Sequence, residues 1–394
     1  MRSRMHCTLS VSEAHQWALS WLMQAELLKE RRQRRACTAP VVWNIVLRAA
    51  AQLTSLFATC RDLAQAPSSQ AVFDALEAGL PRTLSVLEQR LQRGLTEHWH
   101  QRMQRRRWPL AIDWHLVPYY GEPQGSRNEL YRYQRQRGTT HFHAYASACI
   151  VHHGARYTLA FTWVRRHESV VTVLQRLLGR IGDLGIRLKV LLLDRFFFKT
   201  AVLALLQRHQ VPFLLPVVAS GRKPKRRQSR AAPKGWRWFK RQKAGWYRHT
   251  LKNQQAAATF GVCVAYRSYF NRKKRRRGQQ KLLFAAWRVR GTPTEIRERY
   301  RKRFGIETSF RQLRQARIYT CTRNPRLRLV FVGVALLLRN LWVWLHATRL
   351  AAGRGPRATL RLERLRFRQL LDWIAQAVAA VLHDGSMPSV ACDG

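Results

Sequence analysis

Residues 187–197 read Arg-Leu-Lys-Val-Leu-Leu-Leu-Asp-Arg-Phe-Phe, and the fold class follows from this stretch. Its continuous apolar run, Val-Leu-Leu-Leu at 190–193, is typical of a strand buried on both faces of a sheet. The run ends in Asp194. A carboxylate at the carboxyl end of a central strand lies at the rim of an α/β sheet, where such folds place ligands. The stretch therefore predicts an α/β fold with a functional acid at Asp194.

A second apolar run, residues 108–113, also ends in an acid, Asp113. Acids are scarce, since the chain of 394 residues contains 21 Asp and Glu against 72 Lys and Arg. We therefore interpret Asp113 and Asp194 as candidate active-site carboxylates. The alternative is that each caps a strand end or pairs with a nearby cation. Asp183 follows a helical pattern and is interpreted as a turn residue.

The pattern around these two runs predicts a mixed sheet with flanking helices. The core segment has predicted strands at 144–152, 157–164 and 211–218, and predicted helices at 170–181 and 199–209. A basic, β-rich segment follows, with predicted strands at 245–251, 259–269 and 281–289. The remainder is predicted to be helical, at 1–100, 294–317, 326–348 and 360–382.

The charge balance points to a polyanion as the partner. The formal net charge is +51, and phosphate backbones attract basic residues whatever the nucleotide sequence. An anionic membrane is the rival, but the apolar stretch 329–338 is half the roughly 20 residues that a span needs. We predict a buried helix there and no membrane partner. Residues 1–10 lack a secretory pattern, and the seven scattered Cys show no zinc spacing, so we expect a cytoplasmic protein.

A candidate helix-turn-helix lies at residues 55–78, within the helical first hundred residues. Ser68 and Ser69 are good N-cap residues for its second helix, which would enter the DNA major groove. An ordinary helical hairpin is the alternative, because no base-contacting residue is diagnostic.

A third acid, Glu307, lies among cations on one predicted helix face. Positions 300, 303, 307, 311 and 314 share that face, and they hold Tyr300, Arg303, Glu307, Arg311 and Arg314. This arrangement suits a metal ligand with phosphate-binding neighbours. The alternative for Glu307 is a surface salt bridge with Arg303 or Arg311.

The spacing Tyr300-x2-Arg303-x3-Glu307-x6-Arg314 resembles the signature helix of IS4-type bacterial transposases of the DDE superfamily, although the family usually has Lys at the last position. Residues 191–197 resemble the family's second-acid motif, and 111–113 followed by 118–121 resemble its first. The resemblance spans roughly residues 108–346 and implies an RNase H-like catalytic fold with a β-rich insertion before the Glu helix.

The resemblance also implies a chemistry. Asp113, Asp194 and Glu307 would hold Mg²⁺ or Mn²⁺, with two ions about 4 Å apart per active site. Asp113 would bridge both ions. The protein would cut DNA at the ends of an insertion sequence and transfer the 3′-hydroxyl strand into target DNA. Its partners would be double-stranded transposon ends and target DNA, with a homodimer in the DNA complex and association with the nucleoid of a prokaryote.

Seven residues are candidate DNA contacts in this hypothesis. Their basic or aromatic side chains can bind phosphate or stack on bases, and they are Tyr300, Arg303, Arg311, Arg314, Arg195, Trp236 and Trp238. The alternatives are helix packing for Tyr300, Arg303 and Arg314, a structural role for Arg195, and a place in the core of a small β domain for the tryptophans.

The predicted organisation has five segments: a helical DNA-binding domain at 1–100, a first part of the catalytic core at 108–218, the basic insertion at 219–290, a second core part at 291–350, and a C-terminal helix and tail at 351–394. Two other hypotheses remain open. One is a domesticated, non-catalytic DNA-binding protein, and the other is a nuclease on the same fold without strand transfer.

Overall fold

A computed structural model of the chain describes residues 9–29, 37–98, 106–152, 155–218, 239, 242–271, 275–304, 314–350 and 360–383. The chain divides into two units. The first unit comprises Met1–Met103, Trp114–Glu168 and Glu307–Gly394, and the second unit comprises Gln104–Asp113 and Ser169–Ile306.

The run quoted above forms strand β5 (Arg187–Leu192), an interior strand of the second unit's sheet. Strand β5 pairs in parallel with β1 (Arg107–Pro118) on one side and with β6 (Phe213–Pro216) on the other. Residues 190–193 are at most 2% exposed. The first half of β5 is more open, because Arg187 and Lys189 are exposed. Only the second half is covered on both faces, which explains why its residues are consecutively apolar.

Two helices of the second unit flank this parallel trio. Helix α6 (Val170–Asp183) begins at Ser169, whose side chain accepts a hydrogen bond from the Thr172 amide. Its buried residues recur at helical spacing, so one face packs inward. Helix α7 (Thr200–Arg208) connects β5 to β6, as a parallel crossover requires.

Three antiparallel strands extend the same sheet. They are β7 (Gly245–Lys252), β8 (Ala257–Asn271) and β9 (Arg276–Trp287). Strand β9 pairs with β6, so the order within the second unit is β1-β5-β6-β9-β8-β7. The strands predicted in the basic segment are therefore confirmed, and they continue the sheet that carries β5.

The first unit combines an antiparallel set of strands with helices. Strands β2 (Tyr131–Gln136), β3 (Thr139–His152) and β4 (Ala155–Val164) pair in that order. The helices, named here in chain order, are α1 (Val11–Gln24), α2 (Ala39–Gln52), α3 (Leu56–Asp62), α4 (Ser69–Gly79), α5 (Leu84–Thr96), α9 (Pro325–Thr348) and α10 (Phe367–His383). The α/β class with a mixed sheet and flanking helices is confirmed.

Helices α3 and α4 form the predicted helix-turn-helix pattern. The side chains of Ser55 and Ser68 cap them, accepting hydrogen bonds from the Ala58 amide at 3.1 Å and the Ala71 amide at 3.2 Å. The two helices are therefore confirmed, while the contact of the second helix with DNA stays a prediction.

Helix α9 is the buried helix predicted around residues 329–338. Its 24 residues are long and apolar enough to cross a membrane, but 89% of its most apolar window is buried inside the protein. It packs against β4 and α5 of the first unit. An apolar helix that is covered on most sides is typical of the core of a large domain.

Asn340 joins three elements of the first unit from the middle of α9. Its amide nitrogen donates to the Leu95 carbonyl at 3.1 Å and the Thr158 carbonyl at 2.8 Å, and its oxygen accepts from the Thr158 amide at 2.8 Å. Asn340 is fully buried. One side chain thus satisfies backbone groups of α5 and β4 that water does not reach.

Replacing this amide by an alkyl group is expected to destabilise the first unit. Asn340→Leu removes three hydrogen bonds and leaves the Thr158 backbone groups without these partners, at a cost of about 2 kcal/mol in the free energy of unfolding. Urea denaturation measures the loss. Asn128→Leu is the control, because the Asn128 side chain is exposed. Equal stability of the two variants would contradict the role given to Asn340.

The C-terminal helix α10 packs against α1 and α2 of its own unit. The Arg48 guanidinium donates to the Ala375 carbonyl at 2.8 Å, and the Gln65 amide donates to the Leu382 carbonyl at 3.1 Å. Helix α10 therefore packs on helices of its own chain.

Three predicted boundaries were wrong. The helix predicted at 294–317 is interrupted, because helix α8 (Pro293–Arg301) is followed by a 3-10 turn over Lys302–Phe304. Residues 305–313 lie outside the described residues, and residues 317–324 form neither helix nor strand. Helix α10 begins at Phe367 rather than at 360, after a turn. Strand β1 continues five residues beyond Asp113, so this acid does not end its strand.

Candidate active site

The register between β1 and β5 sets Asp113 and Asp194 at the same level of the sheet. The last parallel pair that joins these strands is Ala111 with Leu192. Each acid lies two residues beyond its member of that pair. Equal offsets from one paired position bring both carboxylates to the same edge, because parallel strands rise by the same distance per residue.

Both acids face one cation, Arg303. Its Nη2 atom lies 3.6 Å from Asp113 Oδ1 and 3.9 Å from Asp194 Oδ2. The Arg303 side chain is 6% exposed, against 19% for Asp113 and 41% for Asp194. The guanidinium therefore lies on the inner side of the two carboxylates, which remain accessible from solvent.

Local backbone geometry orients Asp194. One carboxylate oxygen, Oδ1, accepts a hydrogen bond from the Arg195 amide at 2.6 Å. A 3-10 turn follows over Arg195–Phe197, and Phe197 is buried while Arg195 is exposed. The Asp-Arg-Phe-Phe sequence thus turns the chain at the end of β5 and leaves Asp194 Oδ2 directed to Arg303.

Helix α8 brings Tyr300 and Arg303 to this edge. It begins with a capping box, in which Thr292 and Glu295 bond each other's backbone amides. At its other end the Tyr300 hydroxyl donates to the Leu193 carbonyl at 3.2 Å, and the ring packs on Phe284 with centroids 5.2 Å apart. Tyr300 therefore ties the helix to the residue that precedes Asp194.

The protonation states of this pair follow from burial and charge. Burial raises the pKa of Tyr300 to about 12, although Arg303 opposes the shift, so the hydroxyl is a donor at neutral pH. Burial lowers the pKa of Arg303, but Tyr300, Asp113 and Asp194 more than offset this, and the net pKa is raised. The site therefore holds a permanent cation beside two carboxylates.

Tyr300→Phe is expected to cost about 1 kcal/mol of unfolding free energy at neutral pH, since the buried hydrogen bond to the Leu193 carbonyl is lost. The folded pKa lies above the unfolded value of about 10. The stability that this hydroxyl contributes is thus present below pH 10 and is lost as the pH rises towards 12. Denaturation of both proteins between pH 7 and 11 measures the difference, and a difference that grows with pH would contradict this account.

The remaining predicted site residues are not part of this carboxylate cluster in the described structure. Glu307, Arg311, Trp236 and Trp238 lie outside the described residues. Arg314 is exposed and belongs to the first unit.

Tyr300 and Arg303 were proposed as DNA contacts, and each is only 5% exposed. The periodicity placed them on one helix face, and it carried no signal that this face points inward at the two acids.

A divalent metal ion fits the chemistry of these residues. Carboxylate oxygens are the ligands that Mg²⁺ and Mn²⁺ prefer, and Asp113 and Asp194 already converge on one cationic nitrogen. Within the described residues, no group of three His, Cys, Asp or Glu forms a metal site. The described part of the site thus offers two ligands, and a third would have to come from elsewhere in the chain.

Comparison with known proteins decides the family. The family model described as "Transposase DDE domain" matches residues 104–341, which include both acids and Arg303. The chain belongs to this transposase family. No curated protein sequence matches the chain. The DDE resemblance is thereby confirmed, while the narrower IS4-type assignment stays a prediction.

A solved structure is also similar to this DDE transposase. It is a cryo-EM structure of the piggyBac transposase synaptic complex with hairpin DNA, with 10% sequence identity and a TM-score of 0.48. The similarity covers 94% of this chain and 78% of that chain. In the transposase described here, the parallel strands β1, β5 and β6 and the antiparallel pair β3 and β4 agree with the predicted RNase H-like arrangement.

Proposed function

We propose that this DDE transposase cleaves DNA at the ends of an IS4-type insertion sequence and joins the freed 3′-hydroxyl to target DNA. The observation that carries the proposal is the convergence of Asp113 and Asp194 on Arg303, within a chain of the transposase DDE family. Two carboxylates at one sheet edge are the arrangement that metal-dependent phosphodiester cleavage requires.

In this proposal Asp113, Asp194 and Glu307 would hold Mg²⁺ or Mn²⁺. When bound, such ions would supply activation of the attacking oxygen and stabilisation of the leaving oxygen. Arg303 keeps the two aspartates converged by attracting both, and Tyr300 fixes the end of β5 through the Leu193 carbonyl. The chain's own residues therefore preorganise the carboxylates.

The remaining residues of the proposal contact DNA. Arg195 and Arg314 are exposed cations, and Arg311, Trp236 and Trp238 are assigned from the sequence. The net charge of +51 supports double-stranded DNA as the partner, as element ends and as target. We further propose that the protein forms a homodimer in the DNA complex, has no membrane partner and is located in the cytoplasm. Residues 1–100 would bind DNA, with the helix-turn-helix at 55–78. The core would comprise 108–218 and 291–350, with the insertion at 219–290 and the C-terminal helix and tail at 351–394.

One assay tests the proposal. Purified protein is incubated with DNA that carries the element ends and a target plasmid, with Mg²⁺, with Mn²⁺ and with EDTA, and the products are resolved on a denaturing gel. We expect metal-dependent nicks at the element boundary and joined products. Nicks without joined products would indicate a nuclease on this fold. Binding with no cut under any condition would indicate a non-catalytic DNA-binding protein.

A further inference from the structure

A cavity of about 110 Å³ lies within the first unit. Residues 115–118 of β1 form one wall, the turn between β2 and β3 forms another, and α9 with the segment before it closes the site. Its lining includes Arg137, Arg314, Arg317 and Arg328, and none of the lining residues is acidic. The cavity is therefore strongly electropositive.

The cations of this cavity lack counter-charges inside the described part of the chain. There, none of the four arginines forms an ion pair with a carboxylate. Guanidinium groups are always protonated at neutral pH, so the four arginines give the cavity its positive charge, and an anionic ligand would offset it.

Among the four arginines that line the cavity, Arg328 has a side chain held in place by contacts with the protein. It is 8% exposed, its Nε donates to the Thr322 carbonyl at 2.7 Å, and its guanidinium lies over the Tyr119 ring at 4.7 Å. Burial lowers its pKa, while Tyr145 and Tyr119 oppose the shift. A buried guanidinium held by backbone and ring contacts is preorganised to meet a ligand from the cavity side.

Arg137 lines the cavity from an unusual backbone conformation. It occupies the left-handed region with φ 50°, and Gly138 follows with φ 85°. Two-residue turns with positive φ at both positions favour Asn-Gly, because a larger side chain is strained there. The Tyr120 hydroxyl donates to the Arg137 carbonyl at 2.6 Å and holds the turn. Strained positions of this kind concentrate at functional sites.

We propose that this cavity binds a phosphate of the DNA backbone, with Arg137, Arg317 and Arg328 joining Arg314 as its ligands. Guanidinium groups match phosphate oxygens through paired, charge-assisted hydrogen bonds. The inference rests on the proposed function, since it assumes that DNA is the substrate. It deepens that function by adding a phosphate site built on the β2–β3 turn and α9, in addition to the two acids.

The test measures DNA affinity in EDTA, so that no cleavage is involved. Fluorescence anisotropy with a labelled element-end duplex is followed over a range of salt concentrations for wild type, Arg137→Asn and Arg317→Gln. We expect each variant to bind roughly tenfold more weakly, and the slope of log affinity against log salt to fall by about 1. Arg137→Asn should fold at least as stably as wild type, because Asn suits the turn.

Arg288→Asn is the matched control. Arg288 also has a positive φ, of 53°, and it is exposed and does not line the cavity. Its replacement by Asn therefore removes one positive charge and relieves the same kind of backbone strain as Arg137→Asn does. Losses of affinity in Arg137→Asn and Arg317→Gln that equal the loss in Arg288→Asn would overturn the proposal, since net charge alone would explain them.

Inorganic phosphate distinguishes the source of the ligand. Phosphate that protects wild type but not Arg317→Gln against thermal unfolding supports the site. If this protection occurs while DNA affinity is unchanged, the cavity takes free phosphate and the proposal for DNA is overturned. Absence of DNA cleavage in the gel assay would contradict the proposed transposase activity, but it would not affect the measured contribution of these arginines to DNA binding.

Discussion

Asp113→Asn and Asp194→Asn are each expected to lower the rate of metal-dependent strand cleavage by about a thousandfold. A metal ion held by these carboxylates would contribute several kcal/mol of charge stabilisation at the phosphate, and the loss of about 4 kcal/mol corresponds to that factor. The amide keeps the shape of the side chain but loses its charge, so metal binding falls while the fold is retained. Single-turnover cleavage of element-end DNA measures the effect, and anisotropy in EDTA should show DNA binding within about threefold of wild type.

Asp183→Asn is the control for these two substitutions. Asp183 is exposed at the end of α6, and its replacement removes one carboxylate from the same unit. Cleavage by this variant should equal that of wild type. Glu307→Gln should behave like the other two acids if it completes the site. Normal cleavage by Asp113→Asn or Asp194→Asn would refute the assignment of that residue.

Arg303→Met is expected to destabilise the metal-free protein by about 3 kcal/mol. Methionine fills a similar volume, but it leaves Asp113 and Asp194 without the cation that now pairs with both. Breaking a buried ion pair by removal of one partner costs about 3–5 kcal/mol, and the partial exposure of Asp194 favours the lower end. Thermal and urea unfolding in EDTA measure the loss.

Divalent metal should restore part of the stability lost in Arg303→Met. A cation bound by Asp113 and Asp194 takes over the neutralisation of their charge, so Mg²⁺ or Mn²⁺ should raise the melting temperature of this variant more than that of wild type. Arg301→Met is the control, because the Arg301 side chain is 75% exposed and its ion pair with Glu298 contributes little. If Arg303→Met is as stable as Arg301→Met, or if divalent metal does not raise its melting temperature, Arg303 is not the counter-ion of the two aspartates.

Much of the local structure could be predicted from residue patterns. Residues 190–193 are consecutively apolar and buried, as is typical of the part of a parallel strand that is covered on both faces. The serines at 55 and 68 mark helix starts, since each side chain bonds an amide three residues on. Those features depend on neighbours in sequence, and they therefore follow from sequence alone.

Tertiary structure decided the assembly of the site. Asp113 and Asp194 are 81 positions apart in the chain, and their equal level follows from the pairing of Ala111 with Leu192. Strand β1 runs past Asp113 to Pro118, although its apolar pattern changes at the acid. Helical periodicity likewise grouped Tyr300 with Arg303, and only packing determined that this face points to the carboxylates rather than to solvent.

Residue patterns thus sufficed to predict the class of the fold, the buried run before Asp194, the two helices of the helix-turn-helix and the three acids worth testing. Strand register and packing bring Arg303 to two of these acids, make β7–β9 part of the core sheet and gather four arginines around one cavity. The reason is physical. Periodicity records which side of an element is apolar, whereas the partner of that side is chosen by strand register and packing between residues far apart in the chain.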